Sequence, residues 1–320
     1  MPGATVAFAQ APDRNQRPTP MRPTAPQSTA PLKGIALMAV AMAVLPFLDV
    51  VAKILGQQGV PILQIVWARM ALGCALTLPL ALRIAGPRGL IPDRPMFHTL
   101  RAGFLIGATG LFFWALKFLS IADALAIFFV QPLIVTALSP VVLGEVVGPR
   151  RWAAVAVGLC GTLIILRPGF GVVNPGSLLA LGAGGSLAIY MLMTRKMSGR
   201  FHALVTTFHT NLAGGILTTA LVPLVWQPPS LSQWGLFGLL AFFAVFGHYL
   251  IVRAYDQAQA SLLAPMAYTE IIMATLVGWW FFGDFPDGWT FTGVGILIAS
   301  AVYISWREHC QKSQSRTLSG

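Results

Sequence analysis

The sequence predicts an all-α membrane protein in which ten transmembrane helices form two inverted repeats of five helices each. Three observations lead to this prediction: the chain is strongly apolar, its apolar runs have the length of membrane spans, and a stretch of the first half is echoed in the second. Hydrophobic residues make up 56% of the 320 positions and charged residues only 10%. Because about a quarter of the residues of a soluble domain are charged, this composition excludes a soluble globular fold.

Apolar runs follow one another along most of the chain. A hydrocarbon core about 30 Å thick requires a helix of about 20 apolar residues, and the breaks between the runs contain Gly, Pro, Asn and Asp, which favour turns. The predicted helices are 34–55, 62–83, 98–118, 122–143, 150–167, 178–195, 203–225, 233–253, 259–282 and 289–306.

The two ends of the chain are expected to lie in the cytoplasm. Residues 1–30 are rich in Pro, Gln, Thr and Ala without apolar periodicity, which predicts a disordered tail, and 308–320 form a second tail. Most Lys and Arg residues fall in the tails and in one alternate set of connections, as expected for the cytoplasmic side of an inner-membrane protein. Since these residues are dispersed between apolar runs, the net charge of +11 does not predict a nucleic-acid partner.

An internal repeat supports the division into two halves. The stretch 115–145, which ends in Leu-Gly-Glu, is echoed by 254–284, which ends in Phe-Gly-Asp. The predicted units are 31–170 and 171–307. Each unit holds five spans, and because five is odd, the second unit enters the membrane in the opposite orientation. Inverted repeats are typical of transporters, whose binding site lies near the midplane where the repeats meet.

The order and spacing of several short motifs resemble the ten-helix EamA-type branch of the drug/metabolite transporter superfamily. The motifs are Pro132 with Gly144 and Glu145, Gly158 and Gly161 before Arg167-Pro168, Gly283-Asp284 with Gly293 and Gly295, and the stretches 45–53 and 64–69. The resemblance covers about residues 33–306. The second repeat departs from the pattern, because Ile271 stands where the first repeat has Pro132, and Asp284 stands in place of a Glu.

The resemblance implies a secondary carrier that moves a small organic metabolite by alternating access, without an ATP site or a cofactor. The stretches 49–53 and 67–69 are similar to members that take up riboflavin or S-adenosylmethionine, and an amino acid is a further candidate solute. Direction of transport, proton coupling and the choice between a monomer and a homodimer stay open. The alternatives are an integral membrane enzyme, for which the sequence has no metalloprotease, P-loop or dinucleotide motif, and a receptor that does not transport.

Three ionisable residues lie close together in the first two predicted helices. Asp49 and Lys53 are four residues apart and share one helix face, and Arg69 is level with Asp49 in an antiparallel hairpin. Ionisable groups within a span are costly and need a partner or a wet cavity. We expect Asp49 and Arg69 to form either a structural ion pair or a charged gate that grips the solute, and Lys53 to extend to the interface.

Glu270 is the strongest candidate for a functional carboxyl group. It lies near the centre of the ninth predicted helix, and its repeat-related neighbour is Gln131, which we expect to approach it across the pseudo-twofold axis. A carboxyl group at this depth suits proton coupling or recognition of a cationic or hydrogen-bonding solute; the alternative is a protonated Glu bonded to a neighbouring helix. His209 and His248 could relay protons near neutral pH; the favoured interpretation is that each forms a hydrogen bond to a neighbouring helix.

Aromatic residues complete the predicted site. Tyr190, Tyr268 and Trp114 are the ones expected to line a cavity and stack on a flat solute. No catalytic residue, metal site or cofactor is expected. The predicted binding or coupling residues are Glu270, Gln131, Asp49, Arg69, Tyr268, Tyr190 and Trp114.

Overall fold

The computed structural model contains helices joined by short connections. It describes residues 31–144, 148–166, 174–196, 202–257, 269–299 and 303, and none of these lies in a strand. The helices are α1 Pro31–Gln57, α2 Ile62–Ala85, α3 Pro95–Ala115, α4 Ile121–Phe128, α5 Gln131–Leu143, α6 Pro149–Leu166, α7 Pro175–Lys196, α8 Ala203–Leu221, α9 Leu231–Gln257, α10 Thr269–Phe282 and α11 Gly288–Ala299.

Within the described residues, seven helical segments are long and apolar enough to cross a membrane. They are Leu32–Gln57, Ile62–Ala85, Pro95–Ala115, Ile121–Val142, Pro175–Thr194, Leu204–Val225 and Leu231–Ile251. Shorter apolar helices, Val155–Ile165, Thr269–Phe282 and Gly288–Ala299, stand at the other three predicted positions. The first part of the ninth predicted helix, 259–268, and both tails lie outside the described residues.

The predicted helix 122–143 is divided into α4 and α5. The helical run stops at Phe128 and resumes at Gln131, so that Pro132 stands in the first turn of α5. A proline is tolerated there because the first N–H groups of a helix have no intrahelical partner, whereas inside a helix its ring clashes with an earlier carbonyl group. The two pieces still form one apolar segment of membrane length.

Helices that are distant in sequence pack together more extensively than neighbours do. The largest contacts are α1 with α9, α3 with α7 and α2 with α8, followed by α2 with α9, α1 with α10, and then α3 with α8 and α5 with α7. By contrast α1 and α2, which the sequence predicts to form a hairpin, touch only slightly. The packing therefore brings residues of the first and second halves of the chain together at the centre of the bundle.

Small residues allow the close approach of α2 and α8. A Cβ atom at Gly73 would lie 3.3 Å from the Asn211 side chain, and one at Gly214 would lie 3.0 Å from Met70 Sδ. In a bilayer, where lipid tails are as apolar as leucine, such close contact is a main source of helix association.

Candidate functional site

Polar side chains of six helices meet inside the bundle, in what we call the central cluster. Its members are Asp49 of α1, Arg69 of α2, Thr109 of α3, Tyr190 of α7, His248 of α9 and Glu270 of α10. Asp49 is within electrostatic range of both Arg69 and Glu270. Arg69 is within range of Tyr190 and His248 as well.

Arg69 is held by α3 rather than by a direct ion pair with α1. Its Nη1 donates a hydrogen bond to Thr109 Oγ1, and Thr109 is buried. Asp49 is only 6% exposed, yet it is not among the ion pairs within 4 Å that the described residues form. The two charges therefore interact through space, and the direct pair considered from the sequence does not form in this conformation.

Glu270 and Gln131 face different partners. Glu270 is half-buried in the first turn of α10 and interacts electrostatically with Asp49. Gln131, in the first turn of α5, donates from Nε2 to Met191 Sδ at 2.6 Å. The described contacts include no hydrogen bond between Glu270 and Gln131. Their expected approach across the pseudo-twofold axis stays a prediction. Tyr268 lies outside the described residues.

The two other aromatic candidates, Tyr190 of α7 and Trp114 of α3, have different surroundings. Tyr190 is within electrostatic range of Arg69 and also stacks against Arg101, whose guanidinium carbon is 5.7 Å from the ring centroid. Trp114 is 49% exposed. At about 100° per residue, it lies on the side of α3 opposite to buried Leu105, whereas Arg101 and Thr109 flank Leu105. The structure therefore separates Trp114 from the polar residues with which the sequence grouped it.

A second polar group surrounds Arg101, one of the basic residues whose distribution along the sequence predicts the cytoplasmic side. Arg101 is fully buried on α3 and donates to Thr194 Oγ1 at 3.3 Å, Thr206 O at 3.0 Å and Thr210 Oγ1 at 2.5 Å. Its Nη2 is also 3.4 Å from His98 Nδ1. We call these residues the Arg101 cluster; it lies in the half of the bundle away from Lys53.

Lys53 forms a direct ion pair with Asp284. Its Nζ lies 2.7 Å from Asp284 Oδ2, donates to Leu119 O at 3.2 Å and stands 4.7 Å from the centroid of the Phe282 ring. Leu119 and Asp284 lie in the connections that follow α3 and α10. The extension of Lys53 to the interface stays a prediction.

Further contacts close the same end of the bundle, where α1 ends and α2 begins. Gln64 donates from Nε2 to Gln227 O at 2.8 Å and accepts from Gln227 N at 3.1 Å. Trp67 Nε1 donates to Thr219 Oγ1 at 2.9 Å, and its ring meets the Trp226 ring edge-on at 5.3 Å. The central cluster thus lies behind a polar and aromatic layer, which we call the outer layer.

Comparison with known proteins identifies the family. The model of the EamA-like transporter family matches residues 32–167 and, a second time, residues 174–306. The chain belongs to the EamA-like transporter family. This confirms the resemblance to the drug/metabolite transporter superfamily that the sequence motifs indicated.

Relatives of this EamA-like protein are named as transporters. It is 27% identical over 264 residues to a riboflavin transporter of Vibrio cholerae, covering 82% of this chain and 89% of the relative. It is 24% identical over 282 residues to an S-adenosylmethionine uptake transporter of Rickettsia prowazekii, covering 88% and 95%. A pseudopaline exporter of Pseudomonas aeruginosa is 27% identical over 257 residues, covering 77% and 86%.

A solved crystal structure shares the fold of the EamA-like chain. The two superpose with a TM-score of 0.59 at 21% sequence identity, covering 88% of this chain and 99% of the other. Family, relatives and apolar helices together make this EamA-like protein a multi-pass membrane transporter, and the names point to transport rather than to enzymatic catalysis.

Proposed function

We propose that the protein is a secondary carrier of a small organic metabolite, working by alternating access around the central cluster. It crosses the inner membrane ten times in two inverted repeats, 31–170 and 171–307, with both termini in the cytoplasm. The outer layer then faces the periplasm. From the names of the relatives, riboflavin and S-adenosylmethionine are the first solutes to test, with amino acids as a further candidate.

Helix packing supports the two-repeat arrangement. If α1, α2 and α3 correspond to α7, α8 and α9, a twofold operation exchanges the contact of α1 with α9 for the contact of α7 with α3. The same operation exchanges α2–α9 for α8–α3 and leaves α2–α8 unchanged. All of these contacts are present and extensive. The two separate matches of the family model agree with the same division.

The observation that carries the proposal is the meeting of Asp49, Arg69 and Glu270 inside the bundle, from both halves of the chain. Insertion of one charged side chain at the bilayer centre costs about 3 kcal/mol, so such residues concentrate on substrate and ion pathways. Two carboxyl groups beside one guanidinium suit a solute that brings a positive charge or hydrogen-bond donors.

Alternating access requires that the path to this cluster can close on one side. The Gln64–Gln227 hydrogen bonds and the Lys53–Asp284 ion pair join the elements that separate the cluster from the proposed periplasmic side. Because each contact joins elements far apart in sequence, separating those elements would break a few discrete bonds and leave the helices intact.

Counterflow in proteoliposomes tests the proposal. Vesicles loaded with unlabelled riboflavin or S-adenosylmethionine should accumulate the labelled solute only when they contain the protein. Glu270→Gln should lower this flux at least tenfold, while Asp93→Asn, which neutralises an exposed carboxylate before α3, should leave it unchanged. Product formation without flux would instead support an enzyme, and full flux in Glu270→Gln would remove Glu270 from the mechanism.

A further inference from the structure

Arg101 is a fully buried cation without an acidic partner in the part of the chain that the structure describes. Its contacts are two threonine hydroxyl groups, one backbone carbonyl group, an imidazole nitrogen and the Tyr190 ring. Lys53, by contrast, has Asp284, and Arg69 has Asp49 within electrostatic range. Neutral hydrogen bonds offset only part of the cost of taking a charge out of water.

The nearby acid does not supply the missing charge. Asp93 is exposed in the connection before α3 and is within electrostatic range of His98 and His209. It forms no ion pair with Arg101 among the described contacts. Among the described contacts, the positive charge of Arg101 therefore has no acidic counter-charge.

Two polar atoms of the same group also lack hydrogen-bond partners. Arg101 Nε and His98 Nε2 are both buried, and neither has a partner within the described structure. Buried donors are nearly always satisfied in native proteins, and an exception indicates a missing ligand, ion or water. An oxyanion would provide both the acceptor atoms and the negative charge.

We infer that the Arg101 cluster is an anion-binding station that receives the carboxylate or phosphate group of the transported solute. The inference rests on the proposed function. Thr109 of the central cluster is eight residues further along the same face of α3, which places the two clusters about 12 Å apart along the bundle. The Tyr190 ring stacks against Arg101, and Tyr190 is within electrostatic range of Arg69, so this residue links the two guanidinium groups between which the anionic group would pass.

The station is closed in this conformation because Arg101 of α3 donates hydrogen bonds to Thr194 of α7 and Thr206 of α8, which holds the three helices together. Access requires these three helices to separate, which would release Thr194 and Thr210 from the guanidinium. The anion then replaces the hydroxyl groups, and a guanidinium is well suited to a carboxylate or phosphate because it binds such groups with two parallel hydrogen bonds.

Two pairs of compounds test the inference. S-adenosylmethionine is compared with its decarboxylated form, and riboflavin 5′-phosphate with riboflavin, so that each pair differs only in one anionic group. Binding to the purified full-length protein is measured by thermophoresis. In at least one pair, the anionic member should bind at least tenfold more tightly than its partner, and Arg101→Gln should reduce this preference to less than twofold.

Controls separate recognition from support of the fold. Arg101→Lys keeps a charge and should retain the preference, weakened about threefold to tenfold; this variant also tests the inference if Arg101→Gln does not fold. Arg83→Gln, an exposed position in the last turn of α2, should retain it fully. A preference unchanged in Arg101→Gln, an equal loss for both members of a pair, or absence of any preference in the wild type would overturn the inference. If the protein catalyses riboflavin counterflow but shows no preference for the anionic member of either pair, the anion-binding station is excluded and the carrier function is retained.

Discussion

Lys53 Nζ lies 2.7 Å from Asp284 Oδ2, and this ion pair joins α1 to the residues just after α10. The Lys53 side chain is 9% exposed and the Asp284 side chain 36% exposed. The two partners are therefore unequal: the lysine depends on its counter-charge, whereas the carboxylate retains contact with solvent. The pair ties together two elements that must separate for the outer layer to open.

This inequality predicts an order of effects. Asp284→Asn leaves a nearly buried ammonium group without its partner and should lower the free energy of unfolding by about 1–3 kcal/mol, whereas Lys53→Met should cost less. Thermal unfolding in detergent measures both. The charge-swapped double variant Lys53→Asp with Asp284→Lys should recover at least half of the stability that its two component substitutions, measured singly, lose together. Equal single effects, or the reverse order, would contradict the prediction.

The side chain of Gln64 should keep the outer layer closed. It is 1% exposed and forms both of its hydrogen bonds with the backbone of Gln227. In Gln64→Leu the backbone N–H and C=O groups of Gln227 lose these bonds, and because Gln227 is exposed and water can replace the amide, the cost is about 0.5–1.5 kcal/mol each. Ala52 is 2% exposed on α1, between Asp49 and the end of the helix. We therefore expect a cysteine introduced at this position to react faster with a membrane-impermeant maleimide in Gln64→Leu than in the wild type.

The control for Gln64 is Gln58→Leu. Gln58 is exposed and shares one long side-chain hydrogen bond, 3.3 Å, with Gln233. Labelling at Ala52 should not change in this variant. If Gln64→Leu labels at the wild-type rate, the Gln64 contact does not hold the layer closed.

Thr109 positions Arg69 in the central cluster. Thr109→Val removes the hydroxyl group that accepts from Arg69 Nη1 and keeps the volume of the side chain. We expect counterflow to fall about tenfold to hundredfold, since a lost hydrogen bond to a charged group costs about 1.5–3 kcal/mol. Thr77→Val is the matched control, because Thr77 is also buried but donates only within its own helix. Equal flux in the two variants would exclude this role of Thr109.

The close contact of α6 with α11 depends on Gly293. A Cβ atom there would lie 2.7 Å from Gly161 O and 2.4 Å from Ile165 Cγ1, whereas a Cβ atom at Gly295 would meet nothing within 4 Å. Gly293→Ala should therefore lower Tm, through overpacking of about 1–3 kcal/mol. Gly295→Ala should leave Tm unchanged or raise it, because alanine favours the helix. Similar Tm values for the two variants would contradict the packing.

Apolar periodicity was sufficient to predict where the helices lie, because the bilayer imposes both their length and their composition. Apolar runs do not predict the division at Phe129 and Val130, which places Pro132 in the first turn of α5, where a proline is tolerated. Seven described segments have the length of a full span, and the described parts of α10 and α11 are shorter.

The site residues were harder to predict than the helices. Asp49, Arg69 and Glu270 stood out because ionisable groups are rare within spans. Arg101 did not, because a basic residue near a helix end resembles a topology signal until three helices are seen to close over it. The role of Trp114 stays a prediction; it is 49% exposed, and residue type does not reveal which face of α3 is turned inward.

The tryptophan group of the outer layer gives the molecule an optical property. The Trp67 ring lies 5.3 Å from that of Trp226 and 6.3 Å from that of Trp234, at steep angles. Indole transitions this close couple as excitons, so the near-ultraviolet circular dichroism of the protein includes a term that depends on the closed arrangement. If a solute separates these rings, the near-ultraviolet circular dichroism signal should change, and stopped-flow mixing can follow this change in unlabelled protein.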